Sequence, residues 1–478
     1  MQSLYSTSAL AVIAAVFSQP AWASVAQQSQ QPSAEAASDS DVRSDEIIVT
    51  AQRRDQNIQD VPIAINALSS NHLKDRQIES VADLAASLPG VKFAEFSGAG
   101  NVYIRGVGTT LVSGSGESSI AAHVDGIYLA QAQATTMVQD DLGRVEVLRG
   151  PQGTLYGRNS TGGVINYISA DPSNEFSGSV SALYGNYDRK QIQGNINAPL
   201  SDNVRVRLYG KYQDRDGWTL NTITGQKLDG IKQAAGRVSV DANVTPTWTS
   251  KLRLTVDHED ITGPVFDAYV PGRVFPGVGF DLDPRKVSSP DIYDSYKEVW
   301  VGSFKNEFQL GDVKLTSLSG LVDFTFNADY DGVPGTRPVR INRIQKSRDY
   351  SQELNLSGSA GKLDFIAGVY YYQSNKSTVS LTDFSKFVIA LPNSVITHSS
   401  KQHSYSGFGD MTYRVSETVR LYGGLRYSAE DLEQSLDIVG QCSGANIQKF
   451  KSNGITGRAG LQADVSDGVM VYGQYSHP

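Results

Sequence analysis

The 478-residue sequence has a single cysteine, Cys442, so no intrachain disulfide can form and a stapled secreted scaffold is excluded. Histidine is scarce too. His72, His123, His258, His398, His403 and His477 are scattered without metal-ligand spacing, so neither a resident metal nor a cofactor is expected. No apolar run reaches the roughly 18 to 20 residues that a spanning helix needs; passage through a membrane would require a closed barrel, whose backbone groups are all paired internally. The formal net charge is −8, with acidic and basic residues interspersed, which excludes the basic face of a nucleic-acid binder. No Ser/His/Asp, paired-carboxylate or metal constellation recurs at fixed spacing, so no enzymatic activity is expected.

What the sequence does have is 45 glycines and 23 tyrosines, a composition of many short strands and turns. The amino terminus has an apolar run from Ala9 to Phe17 followed by Ala21-Trp22-Ala23, the small-x-small pattern of a cleaved signal peptide over residues 1–23. No Lys or Arg precedes the run, which leaves the true start open. Residues 24–56 read as a disordered linker, rich in Gln, Ser and Ala at first. Inside it lies "DEIIVTAQ", a short β-prone run with nothing adjacent to pair with. Such a segment suits strand addition to a partner's sheet edge; an ordinary first strand of the next domain is the alternative.

Residues 57–172 read as a small mixed α/β unit. "SVADLAASLPGV" predicts a short amphipathic helix capped by Ser80 and stopped at Pro89-Gly90. Strands are expected in "VPIAINAL", "NVYIRGVG", "IAAHVDGIYL", "RVEVLRG" and "GVINYIS". The glycine-rich stretch "RVEVLRGPQGTLYGRNSTGGVINYIS" (Arg144 to Ser169) is not a nucleotide loop, because neither Gly150 nor Gly153 begins the required spacing and a strand, not a helix, follows Gly163.

From residue 173 to 478 the pattern becomes strict alternation. Val204, Val206 and Leu208 oppose Arg205, Arg207 and Tyr209, and Val238, Val240 and Ala242 oppose Arg237, Ser239 and Asp241. A soluble sandwich would alternate as well. The connections favour a membrane barrel: short turns near 201–203, 245–247, 311–313, 359–362, 416–418 and 466–468 alternate with long polar segments near 213–231, 259–296, 327–346, 373–402 and 429–450. Tyr184, Tyr212, Tyr296, Tyr350, Tyr372 and Tyr405 are candidates for its aromatic girdles.

The order of "DEIIVTAQ", "SVADLAASLPGV", "NVYIRGVG", "VDGIYL", the Arg144–Ser169 stretch, "SQELNL", "SYSGFGDMTYRV" and "LYGGLRYSAED" resembles a TonB-dependent outer-membrane receptor, especially the ferric-siderophore type. The resemblance implies a mixed α/β plug domain followed by an antiparallel transmembrane β-barrel. It makes Asp45, Glu46, Ile47, Ile48, Val49, Thr50 and Ala51 the TonB box, on which a TonB energy-transducing complex pulls by strand addition. It also implies that plug arginines, here Arg105 and Arg149, meet wall glutamates such as Glu353; salt bridges within the plug are the alternative. Ligand contacts are expected from loops holding Phe96, Asn101, Tyr128 and Gln131. The expected partners are outer-membrane lipid and an iron chelate or similar small molecule, taken up by a monomer. Uptake of a carbohydrate or vitamin B12 and a passive diffusion porin remain as alternative functions. About 13 strand-like segments lie between Gly178 and Ser476, against the 22 of large outer-membrane transporters, so the barrel is expected to be incomplete and the sequence truncated at its C-terminal end; a smaller barrel of 12 or 14 strands is the alternative.

Overall fold

A computed structural model describes residues 47–96, 99–109, 117–136, 139–263, 283, 285–333, 339–387, 391–439, 442–466 and 468–477. The expected signal peptide, the linker up to residue 46, Asp45 and Glu46 lie outside the described residues.

The first unit contains β1 (Ile48–Val49), β2 (Gln56–Asn57), β3 (Ile65–Ser69), α1 (Ser70–Asp75), α2 (Val81–Ser87), β4 (Val91–Phe96), β5 (Ala99–Ile104), β6 (Ile120–Val124), β7 (Ile127–Leu129), β8 (Leu142–Arg149), α3 (Gly153–Tyr156) and β9 (Gly163–Ser169). Five of its strands form one sheet in the order β3-β8-β9-β6-β7, in which only β6 and β9 run parallel. Helix α2 starts where the sequence places it: the Ser80 hydroxyl accepts from Asp83 N–H at 3.1 Å and donates to the Asp83 carboxylate at 2.6 Å. Its Val81, Leu84 and Ala85 face a core shared with Val145 and Ile165.

The second unit is β10 (Ser177–Gly185), β11 (Arg189–Ser201), β12 (Val204–Arg215), β13 (Thr219–Asn221), β14 (Lys227–Leu228), β15 (Gly230–Thr245), β16 (Trp248–Thr262), β17 (Lys286–Val287), β18 (Ser295–Leu310), β19 (Val313–Val333), β20 (Val339–Ala360), β21 (Leu363–Asp383), β22 (Ser394–Arg414), β23 (Val419–Val439), β24 (Cys442–Ser466) and β25 (Val469–His477). Thirteen of these, all but β13, β14 and β17, form a single antiparallel sheet in sequence order. Its polarity is inverted relative to a soluble sandwich. Arg237, Ser239 and Asp241 on β15 are buried while Val238 between them is exposed, and Arg253, Thr255 and Asp257 on β16 are buried beside an exposed Leu254. Burying charge inward and leaving apolar side chains outward is stable only where the outside is hydrocarbon. The inner face packs on the first unit, since Val299, Val322 and Phe324 of the large sheet share one core with α2, β8 and β9.

All six expected short turns are present. The long polar segments differ from expectation, because β19 to β24 run 21 to 25 residues each and convert much of 327–346, 373–402 and 429–450 into paired strand. A strand needs only about 9 to 11 residues to cross hydrocarbon; beyond it the outward face no longer has to be apolar, so the alternation fades while the ladder continues, and on β19 Ala328 and Tyr330 stay buried in the core shared with the plug. Tyr372 also departs from the expected girdle, being buried on the inner face against Tyr128.

Candidate plug, wall and coupling site

The segment after Ile47 is the first correction. Residues 47–56, placed by sequence in a disordered linker, are docked on the plug sheet, and β1 finds its partner eight positions on in β2, with Ile48 opposite Asn57 and Val49 opposite Gln56. Val49 and Ala51 are fully buried against Leu148, Val164 and Leu155. The apolar alternation of "IIVTA" thus serves an internal face.

Beneath this strap runs a polar row across three strands, because Glu146 on β8 pairs with Asn166 on β9 and Asn166 with His123 on β6. Glu146 is wholly buried and accepts from Thr50 N–H at 2.8 Å, the Thr50 hydroxyl at 3.1 Å, Arg144 Nε at 2.8 Å and Asn166 Nδ2 at 3.3 Å. A carboxylate out of water is tolerable only when donors of this kind surround it. Asn166 also donates to the Tyr156 hydroxyl at 2.9 Å, and the Arg53 guanidinium lies 4.7 Å over the Tyr156 ring. The His123 ring sits between Tyr128 and Tyr156, at 5.6 and 5.4 Å between centroids. Burial, and then the nearby Arg53 charge, push its pKa well below the ordinary histidine value.

The plug meets the wall through ion pairs of two senses. On one side plug cations face wall carboxylates: Arg53 lies 3.4 Å from Glu353 on β20, and Arg158 lies 3.3 Å from Glu430 on β23 and 2.8 Å from plug Glu117. On the other side the signs reverse. Arg207 on β12 donates through Nε to Asp141 at 2.9 Å, Lys211 reaches Asp140 at 2.9 Å, and Arg237 donates to the Asp140 and Asp141 carbonyls. Glu353 is therefore a wall partner as expected, but of Arg53. Arg105 and Arg149 have no ion pair among the described residues; burial and then the nearby Arg105 charge lower the pKa of Arg149, whose Nε is left without a partner there. The place opposite Glu353 is taken by Arg53 of the strap.

Two expected ligand contacts are also corrected. Tyr128 is buried in the plug, its ring against Tyr372 and its hydroxyl accepting from Asn159 Nδ2 at 2.6 Å. Gln131 is buried at the wall, where its amide oxygen accepts from Gln345 Nε2 on β20. Both follow β6 inward, so the turn after Asp125 faces the wall. Asn101 is half-buried on β5 opposite Ala94; Phe96 ends β4, and its side chain lies outside the described residues. Sequence reading missed Arg53, Asp140, Asp141, Glu146 and Glu430. The signal for Glu146 was present, since a carboxylate inside the apolar run "VEVL" demands partners.

A cavity of about 330 Å³ separates strap, plug and the β16–β20 wall, lined among others by Thr50, Arg144, Asn166, Lys251, Lys314 and Glu353. Among the described residues no group of three or more His, Cys, Asp or Glu is placed to hold a metal.

A plug-in-sheet arrangement of this kind has relatives. The TonB-dependent receptor plug domain matches residues 57–164, and the TonB-dependent receptor-like β-barrel matches residues 138–477. The protein belongs to the TonB-dependent receptors. This TonB-dependent receptor is 24% identical over 388 residues to the pesticin receptor of Yersinia pestis, a match that spans 77% of this protein and 53% of the relative. It thus spans about half the length of the curated relatives it matches. The fold is shared with the ferric yersiniabactin uptake receptor FyuA from Yersinia pestis, with a TM-score of 0.76 and 21% identity over 86% of this protein and 64% of that one. It is shared as well with the ferric-catecholate import receptor Fiu of E. coli K12, with a TM-score of 0.69 and 17% identity over 88% of this protein and 70% of that one.

Proposed function

We propose that this receptor takes up a scarce, bulky chelate across the outer membrane, a ferric siderophore foremost, with Asp45–Ala51 as the segment on which a periplasmic TonB complex pulls. The observation that carries this reading is the plug itself. It is tied to the wall by Arg53–Glu353 and Arg158–Glu430 on one side and by Asp140 and Asp141 on the other. Breaking such buried pairs one partner at a time costs several kcal/mol, so a pathway opens only with work supplied from outside. A passive porin needs no such ties. The ferric yersiniabactin and ferric-catecholate names belong to the similar structures and support iron chelates over carbohydrate or vitamin B12. The apolar outer face meets membrane lipid, the receptor works as a monomer, and neither a catalytic step nor a cofactor is involved.

The test is made in the gene's own cell. Ile48→Pro removes one backbone donor and fixes φ in the coupling segment. Binding of the ferric chelate at the cell surface should persist while its uptake under iron starvation falls to background. Undiminished uptake would refute the coupling role, and uptake of sugars or cobalamin in place of iron would refute the ligand class.

A further inference from the structure

The plug does not meet its wall in the same way all round. Toward β18 and β19 the seam is apolar, with Val299, Val301, Val322 and Phe324 buried in one core with Leu84 and Ile127 of the plug. The β6–β7 turn is pressed against it: a Cβ at Gly126 would lie 2.8 Å from Leu318 Cδ2, and one at Gly320 would lie 2.9 Å from Ile127 Cγ2. From Lys297 to Ser303 and from Leu318 to Tyr330 no buried side-chain polar atom lacks a partner among the described residues.

Toward β20–β24 the seam is polar and incompletely bonded. Ser347 Oγ and Asp349 Oδ2 on β20, the Tyr372 hydroxyl on β21 and Thr456 Oγ1 on β24 are shut off from solvent without a hydrogen-bond partner among the described residues, and so are Arg158 Nε and Gln131 Nε2 on the plug. The Arg53–Glu353 pair of the same seam borders the 330 Å³ cavity, which leaves room for water beside it. Ion pairs tie the plug to β12 and to β20 and β23 alike, so they do not choose between the sides. Hydration does. Water entering the polar seam satisfies atoms that burial leaves unpaired, whereas water entering the apolar seam only wets hydrocarbon side chains. We propose that the plug parts from its wall along β20–β24 while it stays joined to β18 and β19, so that the chelate passes between the plug and β20–β24. The inference rests on the uptake proposed above.

Two disulfides test this in the full 478-residue protein, each with Cys442→Ser so that no other thiol remains. Gly153→Cys with Thr456→Cys bridges the polar seam, where α3 lies against β24 and the two Cβ atoms would stand 3.5 Å apart; Ile127→Cys with Gly320→Cys bridges the apolar one. In hydrogen exchange of the purified protein the first bridge should slow the amides of 150–162 at least about tenfold relative to its reduced form, because it ties a seam that opens. The second should change exchange at 120–129 by less than about twofold, since that seam is already shut. In the gene's own cell, uptake of a ferric siderophore drawn from its iron-starved medium should be abolished by the first bridge, recovered on reduction with a thiol, and left in place by the second. No slowing by the first bridge, or equal slowing by the second, overturns the inference, as does undiminished uptake with the first or lost uptake with the second. If a bridge does not form, Glu430→Ala on the wall carries the test: severalfold faster exchange at 150–162 with 120–129 unchanged supports the polar seam, and no change or an equal rise at both overturns it. A parent protein that accumulates no ferric siderophore refutes the uptake reading, and exchange alone then decides which seam opens.

Discussion

Lowering the pH from about 7.5 to about 5 is expected to loosen the strap through one side chain, His123. Its ring is enclosed by Tyr128 and Tyr156, and its Nδ1 has no partner among the described residues. It shares a void of about 10 Å³, room for a single water, with Arg53 on the strap, Arg158 after α3, Glu353 on β20, Tyr370 on β21 and Arg426 on β23. Burial and then Arg53 hold the docked imidazole neutral. Once the strap leaves, taking Arg53 with it and admitting water, His123 returns toward its ordinary value of about 6.5. The released state then binds a proton that the docked state cannot, so docking is unaffected above about pH 6.5 and weakens below it. Each further unit costs at most about 1.4 kcal/mol, a factor of ten in undocking, until the docked value is reached. Hydrogen exchange at 47–57, corrected for the intrinsic pH dependence of amide exchange, measures this directly. The reasoning fails if protection there is the same at both pH values, or if His123→Gln shows the same loss as the parent.

Gly157 ends α3 at φ +77°, and a Cβ there would lie 2.7 Å from the Arg426 guanidinium. Gly157→Ala should therefore destabilise the plug by about 1 to 3 kcal/mol of backbone strain plus the displacement of Arg426, more than Gly106→Ala, which has φ +82° and open space; exchange at β9 amides ranks the two. Asp410 and Arg458 form a buried two-point pair at 2.7 and 2.9 Å, so Asp410→Ala should cost about 3 to 5 kcal/mol and lower the temperature at which the barrel unfolds on a gel. Arg207→Ala removes the wall partner of Asp141, and faster exchange around 139–143 with α2 unchanged is the expected readout.

Much of this was legible because it is periodic or local. Alternation of period two specified all thirteen strands of the large sheet, and small polar residues with Gly or Pro marked the short turns between them. Ser80 announced its helix through a contact three residues away. The strap was illegible for the opposite reason: what orders Thr50 is a carboxylate 96 positions on, and the β-prone run looks alike whether it pairs with a partner or with its own β2. Arg53 and Glu146 were missed on the same ground. Tyr128 and Gln131 were assigned to ligand loops by resemblance, which says nothing about the direction a turn faces in this protein. The strand extensions of β19 to β24 escaped detection because outside the hydrocarbon the outward face no longer has to be apolar, while the backbone ladder that makes them strands leaves no trace in side-chain pattern.

The reversed signs of the plug's two flanks fix how it can be inserted. Asp140 and Asp141 face cations on β12, while Arg53 and Arg158 face carboxylates on β20 and β23. A plug turned away from this setting would lose these matches, and any turn that carried Arg53 or Arg158 toward Arg207 and Lys211, or Asp140 and Asp141 toward Glu353 and Glu430, would set like charges against each other. The penalty for the wrong angle is repulsive, which discriminates more sharply than the loss of an attraction. Charge thus acts as a rotational key: a plug returning after displacement is steered back to one angular setting.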